Sequence, residues 1–184
     1  MKKHRPLTNA IDIIAFWLDS GSSKWFAKDI AFDDALRTRF LDGHFAAARR
    51  EREAMLEDAD DALALILLLD QVPRNVFRDS AHAFATDPLA REYAHRAIDA
   101  RFDTIIEPAL RIFFYLPFEH SEDIADQDRV VALCEALGDA TYLKYAEANR
   151  DVIRRFGRFP HRNRSLARVN TSEEQAWLDA GGGF

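Results

Sequence analysis

Cysteine is nearly absent from this chain. The lone thiol, Cys134, excludes an intrachain disulfide. Its setting, "VALCEALG", reads as an apolar helix face where cysteine serves as a small buried hydrophobe. Glycine and proline are also scarce, at 7 and 6 of 184 residues, too few for a fibrous or low-complexity chain. The longest apolar run, "ALALILLL" at 62–69, falls far short of the roughly twenty residues that span a bilayer, so no membrane partner is read. Basic charge is in deficit: 25 Lys and Arg against 31 Asp and Glu leave a formal charge of −6, which argues against nucleic acid as a general partner. The basic start "MKKHR" leads into "IDIIAFWLD", with two aspartates and no small-residue cleavage site, so a cytoplasmic protein is expected. Strand-type alternation, a strict repeat of about 34 residues, glycine-rich phosphate loops, the nucleophile elbow and the dinucleotide fingerprint are all missing.

What remains is a hydrophobic and charged mixture of globular kind, 184 residues long, read as one domain over 1–184. Apolar residues recur at helical spacing, and the expected fold is all-α: seven to nine helices in antiparallel succession, stacked as pairs. A first helix is expected over 8–19, burying Ile11, Ile14, Phe16 and Leu18, with "SGSS" as its stop. A second starts near Asp29 and runs to about residue 57, with Gly43 as a possible break. Asp60 and Asp61 place negative charge at the start of the next, whose apolar run makes it central. Pro73 disfavours helical geometry at Val72 and sets its end near Gln71. Asp87 is read as a cap with Pro88 in the first turn, Pro108 and Pro117 as brackets around "ALRIFFYL", and Ser121 as the cap of "IADQDRVVALCEAL". Gly138 and Gly157 are read as stops, and Thr171 with Glu174, or Ser172 with Gln175, as the last cap.

Three stretches place polar residues amid apolar ones: "LLLDQVPRN", "YLPFEHSEDIADQ" and "RFGRFPHRN". Near the negative end of a helix dipole Asp70 needs a cationic partner, for which Arg74, Arg158 and Arg162 are candidates. Glu119, His120, Glu122 and Asp123 share one turn. If the loops converge, Asp70, Arg74, Asn75, Glu119, His120, Glu122, Arg158, His161, Arg162 and Asn163 form one polar cluster. One reading is structural, with each buried charge retained because it is paired. The other is a pocket in which arginines hold a peptide or small acidic ligand. In an enzymatic version, of hydrolase type, His120 or His161 moves protons beside a neighbouring carboxylate.

Other chemistry is less well supported. His120 with Glu119, Asp123 and His161 lacks the paired spacing of a metal site, and "EYAH" supplies one Glu-x-x-His where di-iron bundles use two, so no metal or other cofactor is expected. Between Arg150 and Arg168 seven arginines face one acid, Asp151, with Phe156 and Phe159 interleaved. That pattern suits single-stranded nucleic acid, but the acidic remainder of the chain offers internal partners instead. Trp17, Trp25 and Trp177 are read as packing anchors.

"KWFAKDIAFD", "LALILLLDQVPRNVFR", "AFATDPLA", "YLPFEHSED", "RFGRFPHRN" and the terminal "EEQAWL…GGGF" closely resemble, in order and spacing, a family of bacterial proteins of unknown function. The resemblance implies an all-helical, tetratricopeptide-like fold and no established activity or cofactor. Two departures stand out. Members of the family usually carry histidine where this chain has Asn149, and a Leu-Gly-Arg-x-Ser pattern where it reads "LARVN" at 166–170. Asparagine does not titrate near neutrality, which favours a binding or structural role at that position.

Overall fold

The structure, a computed structural model, describes residues 10–183. The basic start and residues 8 and 9 of the expected first helix lie outside them. All nine α-helices among the described residues are joined by turns and short 3-10 segments, without strands: the fold is all-α. In chain order they are α1 (Ala10–Ser20), α2 (Ser22–Trp25), α3 (Ile30–Ala48), α4 (Ala59–Val76), α5 (Asp87–Asp99), α6 (Ile112–Glu119), α7 (Ile124–Leu137), α8 (Ala140–Phe156) and α9 (Ser172–Asp179). The chain forms two compact units. Among the described residues the first holds 10–78 together with His82–Phe114, and the second holds Asp79–Ala81 and 115–183.

In the first unit α4 is the axis. Leu63, Ala64, Leu65, Ile66, Leu67, Leu68 and Leu69 are all buried, because α1, α3 and α5 pack around it. An all-round apolar helix is stable only when enclosed in this way. Asp58, two and three residues before the aspartates singled out from sequence, caps α4 by accepting from the Asp60 and Asp61 N–H groups. Gly43 marks no break: it is buried inside α3, which runs from the Asp29 cap to Ala48, while 53–57 form a separate 3-10 turn. The buried side of α1 is Ala10, Ile13 and Trp17, not the expected Ile11 and Leu18, which are exposed. Trp17 sets the face by its edge-on contacts with Phe32 and Phe113. "SGSS" begins a further turn, α2, whose Trp25 donates its indole N–H to the Trp17 carbonyl at 2.8 Å.

Pro73 does not end α4. The helix runs on to Val76, with the Phe77 N–H reaching back to the Pro73 carbonyl. A proline inside a helix leaves the carbonyl four residues earlier without its donor. That carbonyl belongs to Leu69, and the buried Thr86 hydroxyl donates to it at 2.5 Å, while His44 Nδ1 meets the adjacent Leu68 carbonyl at 2.8 Å. The hydroxyl thus replaces the missing N–H. With Nδ1–H donating, the second His44 nitrogen is an acceptor, 3.3 Å from His82 Nε2. Burial, followed by the nearby His82, pushes the His44 pKa down despite the Leu68 hydrogen bond, which favours the charged form.

The second unit is built on the hairpin of α7 and α8, joined through Gly138 and Asp139. Gly138 adopts the left-handed conformation that ends α7, and Asp139 caps α8 through the Thr141 and Tyr142 N–H groups. Gly157 closes α8 in the same way. Pro117 lies inside α6 rather than at its edge, and the helix ends where the buried Gln127 amide donates to the Glu119 and Ser121 carbonyls, each at 2.7 Å. Asp123, not Ser121, caps α7; Ser121 accepts from the Asp123 N–H and donates to Asp126 at 2.6 Å.

The Pro73 repair predicts a specific coupling. Thr86→Val leaves the Leu69 carbonyl buried and unpaired, an expected loss of about 1–3 kcal/mol in urea unfolding. In a Pro73→Ala background, where an N–H is restored at position 73, the same substitution is expected to cost much less. Equal losses in both backgrounds would contradict the account.

Candidate functional site

The polar residues singled out from sequence occur in both units. In the first, Asp70 is fully buried on α4. Its cation is Arg74, one turn on: Nη1 stands 3.1 Å from Oδ1 and donates to the Asp70 carbonyl at 2.7 Å. The same guanidinium grips Asp87 through two parallel hydrogen bonds of 2.8 Å, the geometry that makes arginine the natural partner of a carboxylate. Burial alone would lower the Arg74 pKa, but the charges of Asp70 and Asp87 raise it. The Gln71 amide donates to Asp70 Oδ2 at 2.7 Å. Asn75 donates to the Gln71 carbonyl and accepts from Arg78, which is itself held by Asp33 at 2.6 and 2.9 Å. Asp87 was read from sequence only as a cap; Thr86 occupies that position, and the Asp87 carboxylate holds Arg74.

In the second unit the arginines of the loop after α8 turn inward. Arg158 lies along Glu174 with two hydrogen bonds, 2.6 and 2.8 Å, and donates a third to the Val169 carbonyl at 2.9 Å. Glu174 also accepts from the Thr171 N–H at 2.7 Å, completing the capping box that starts α9. Arg158, then the Thr171 N–H, hold its carboxyl down to about 2. Arg168 grips Glu122 at 2.8 Å through both oxygens, and the Phe159 N–H adds a third bond at 2.9 Å. Burial would raise the Glu122 pKa, but Arg168, Phe159 and the Arg162 charge together bring it below the usual range. Arg162 is buried, donates to the His120 carbonyl at 2.9 Å and lies over the Phe159 ring. Asn163, also buried, ties Asn170 at 2.8 Å.

Glu119, His120 and His161 keep partial exposure on this braced frame. Asn149, buried on α8, donates to Glu119 Oε1 at 3.1 Å and to the Tyr145 carbonyl at 3.0 Å, so it orients the carboxylate. His161 lies within electrostatic reach of Arg162, Glu122 and His120, and burial with the Arg162 charge pushes its pKa down to about 4. Its imidazole is therefore neutral at physiological pH. Cys134 is buried, and desolvation together with Glu119 and Asp139 pushes its thiol up to about 12, too high for a nucleophile. Among the described residues no group of three or more His, Cys, Asp or Glu side chains is placed to hold a metal ion, and no helix is long and apolar enough to cross a membrane.

Sequence reasoning missed Glu174 and Arg168 as members of this network. The capping pattern gave Glu174 its local role alone; nothing local announced the Arg168 partner, which lies 46 residues away. Arg168 is placed by a tight turn. Its N–H reaches the Asn163 carbonyl at 2.8 Å and the Ala167 N–H reaches Arg164, a Schellman arrangement that puts Ala167 at φ 53°.

Two outcomes follow. Ala167→Gly is expected to stabilise the protein by about 1 kcal/mol in urea unfolding, because a Cβ is strained in the left-handed region; unchanged or lower stability would contradict the turn. The folded chain favours neutral His161, whose pKa lies below the ordinary 6.5. Its contribution to stability is therefore complete above pH 6.5 and lost as the pH falls towards 4. An NMR titration of the His161 ring should show a midpoint near 4 in folded protein; an unshifted midpoint would refute its burial.

Comparison with known proteins agrees with this architecture. A solved structure from Agrobacterium tumefaciens, described as a protein of unknown function, ATU0120, is 54% identical to the chain. It superposes with a TM-score of 0.91 over 94% of this chain and 97% of its own. No curated protein matches. Residues 13–182 match the family described as bacterial protein of unknown function (DUF924), and the chain belongs to that family.

Proposed function

We propose that the chain is a cytoplasmic, tetratricopeptide-like binding module, and that the braced face of the second unit carrying Glu119, His120 and His161 holds a peptide. One observation carries the reading: Arg158, Arg162 and Arg168 are held by Glu174, the His120 carbonyl and Glu122, so their donors position the frame while the histidines and Glu119 keep access to solvent. A small acidic ligand would have to displace those carboxylates. Peptide amides suit the partly exposed groups: a neutral imidazole and an oriented carboxylate accept hydrogen bonds from N–H donors. In the first unit Asp70, Arg74 and Asn75 serve the fold, and in the second Arg158, Arg162, Asn163 and Glu122 serve the face. A hydrolase with His161 as its base is the weaker reading, because an imidazole whose pKa is near 4 is a poor base at neutral pH.

The test is selection from a displayed peptide library on immobilised wild-type protein, counter-selected on a His120→Ala/His161→Ala variant and, separately, on Glu119→Gln. Thermal unfolding first establishes that each variant folds. A peptide consensus whose affinity falls at least about tenfold in the folded variants is expected, the loss of roughly one or two hydrogen bonds. A consensus bound equally by wild type and variants, or none at all, would overturn the assignment.

A further inference from the structure

The second unit carries a separate groove of about 340 Å³, lined by Ala148, Val152 and Phe156 of α8, by Trp177 of α9 and by the backbone of Gly181, Gly182 and Gly183. Roughly 300–1,000 Å³ is usual for small-ligand sites, so this one accommodates a single large side chain. The glycines shape it. A Cβ at Gly182 would lie 2.3 Å from the Trp177 ring, so the chain passes flat against the indole only because it has no side chain there. The Gly182 N–H is fixed to the Trp177 carbonyl at 2.9 Å. The Phe156 and Trp177 rings meet at 5.5 Å and pack on the Val152, Ile153 and Phe159 cluster, which makes the wall rigid and aromatic.

Two charged residues stand on the rim. Asp151 faces Arg154 at 3.9 Å. Arg155 lies with its guanidinium 4.7 Å from the Phe156 ring, and it donates through Nε to the exposed Glu173 at 2.9 Å. That bond uses one of five N–H donors; among the described residues Nη1 and Nη2 have no partner. An exposed ion pair of this kind contributes little and exchanges readily. An aromatic slot therefore opens beside a flat, positively charged fork with unused donors.

We propose that this groove is a docking site for an aromatic residue of a partner peptide that carries a carboxylate beside its ring, as a C-terminal phenylalanine or tyrosine does. The ring stacks against Trp177 and Phe156, and the carboxylate takes the outer face of Arg155. The proposal is independent of the Glu119, His120 and His161 face, since none of those residues lines the groove.

N-acetyl-phenylalanine, N-acetyl-phenylalaninamide and N-acetyl-alanine are the probes, titrated into the wild-type protein and into Phe184→Ala. The reporter is the Trp177 indole N–H resonance, assigned by its loss in Trp177→Phe. A saturable shift with N-acetyl-phenylalanine is expected, about tenfold weaker for the amide, the value of a charge-assisted hydrogen bond. Arg155→Gln, at an exposed position, should bring the acid down to the affinity of the amide. Ala148→Leu, which fills the groove, should abolish the shift while the fold is retained. Absence of saturation, equal affinity for acid and amide, or insensitivity to Arg155→Gln would each overturn the proposal.

Discussion

A guanidinium laid along a carboxylate is the interaction on which the second unit depends. Arg158 sits in the loop after α8 and Glu174 in the first turn of α9, so their paired hydrogen bonds fasten the start of one helix to the end of another. The Glu174 carboxylate also completes a capping box and receives the Asn163 amide. Removing either partner would leave the other without its charge complement while the cap loses its anchor. Arg168 with Glu122 repeats the device between the turn after α6 and the turn before α9, and the Phe159 N–H joins the same carboxylate. These loops have few apolar residues to bury, so directional charge-assisted bonds fix their shape.

This accounts for the concentration of arginine in an acidic chain. Seven arginines between Arg150 and Arg168 suggest an outward positive patch, yet Arg154, Arg155, Arg158 and Arg168 each meet a carboxylate drawn from Asp128, Glu173, Glu174 or Glu122. The exposed pairs, such as Arg155 with Glu173, contribute little to stability and stay exchangeable. The more buried ones are costly to break, because a desolvated charge would be left unpaired. Burial thus divides one run of like residues into fixed braces and available donors.

Local features were legible in the sequence. Asp29, Gly138, Gly157 and the Thr171–Glu174 box act within one turn of themselves, and each marks a helix end where it was expected. The central place of α4 followed from its apolar run, and the need of Asp70 for a cation followed from its helix, with Arg74 one turn away. Features decided by distant partners were not legible. Pro73 reads locally as a stop, but Thr86, 17 residues from Leu69, supplies what the proline withholds. Ile11 and Leu18 read as core because they are apolar, whereas the aromatic neighbours of Trp17 select the other face of α1. Glu174 and Arg168 could be found only by knowing which loops meet.

The central claim is that the arginines after α8 act as internal ties, and a double-mutant cycle on Arg158→Ala and Glu174→Ala, followed by urea unfolding, tests it most directly. Each single substitution is expected to destabilise the protein, and the double variant to lose clearly less than the sum, because both remove the same bond. Losses that simply add would show that the two side chains act independently, and would contradict the account.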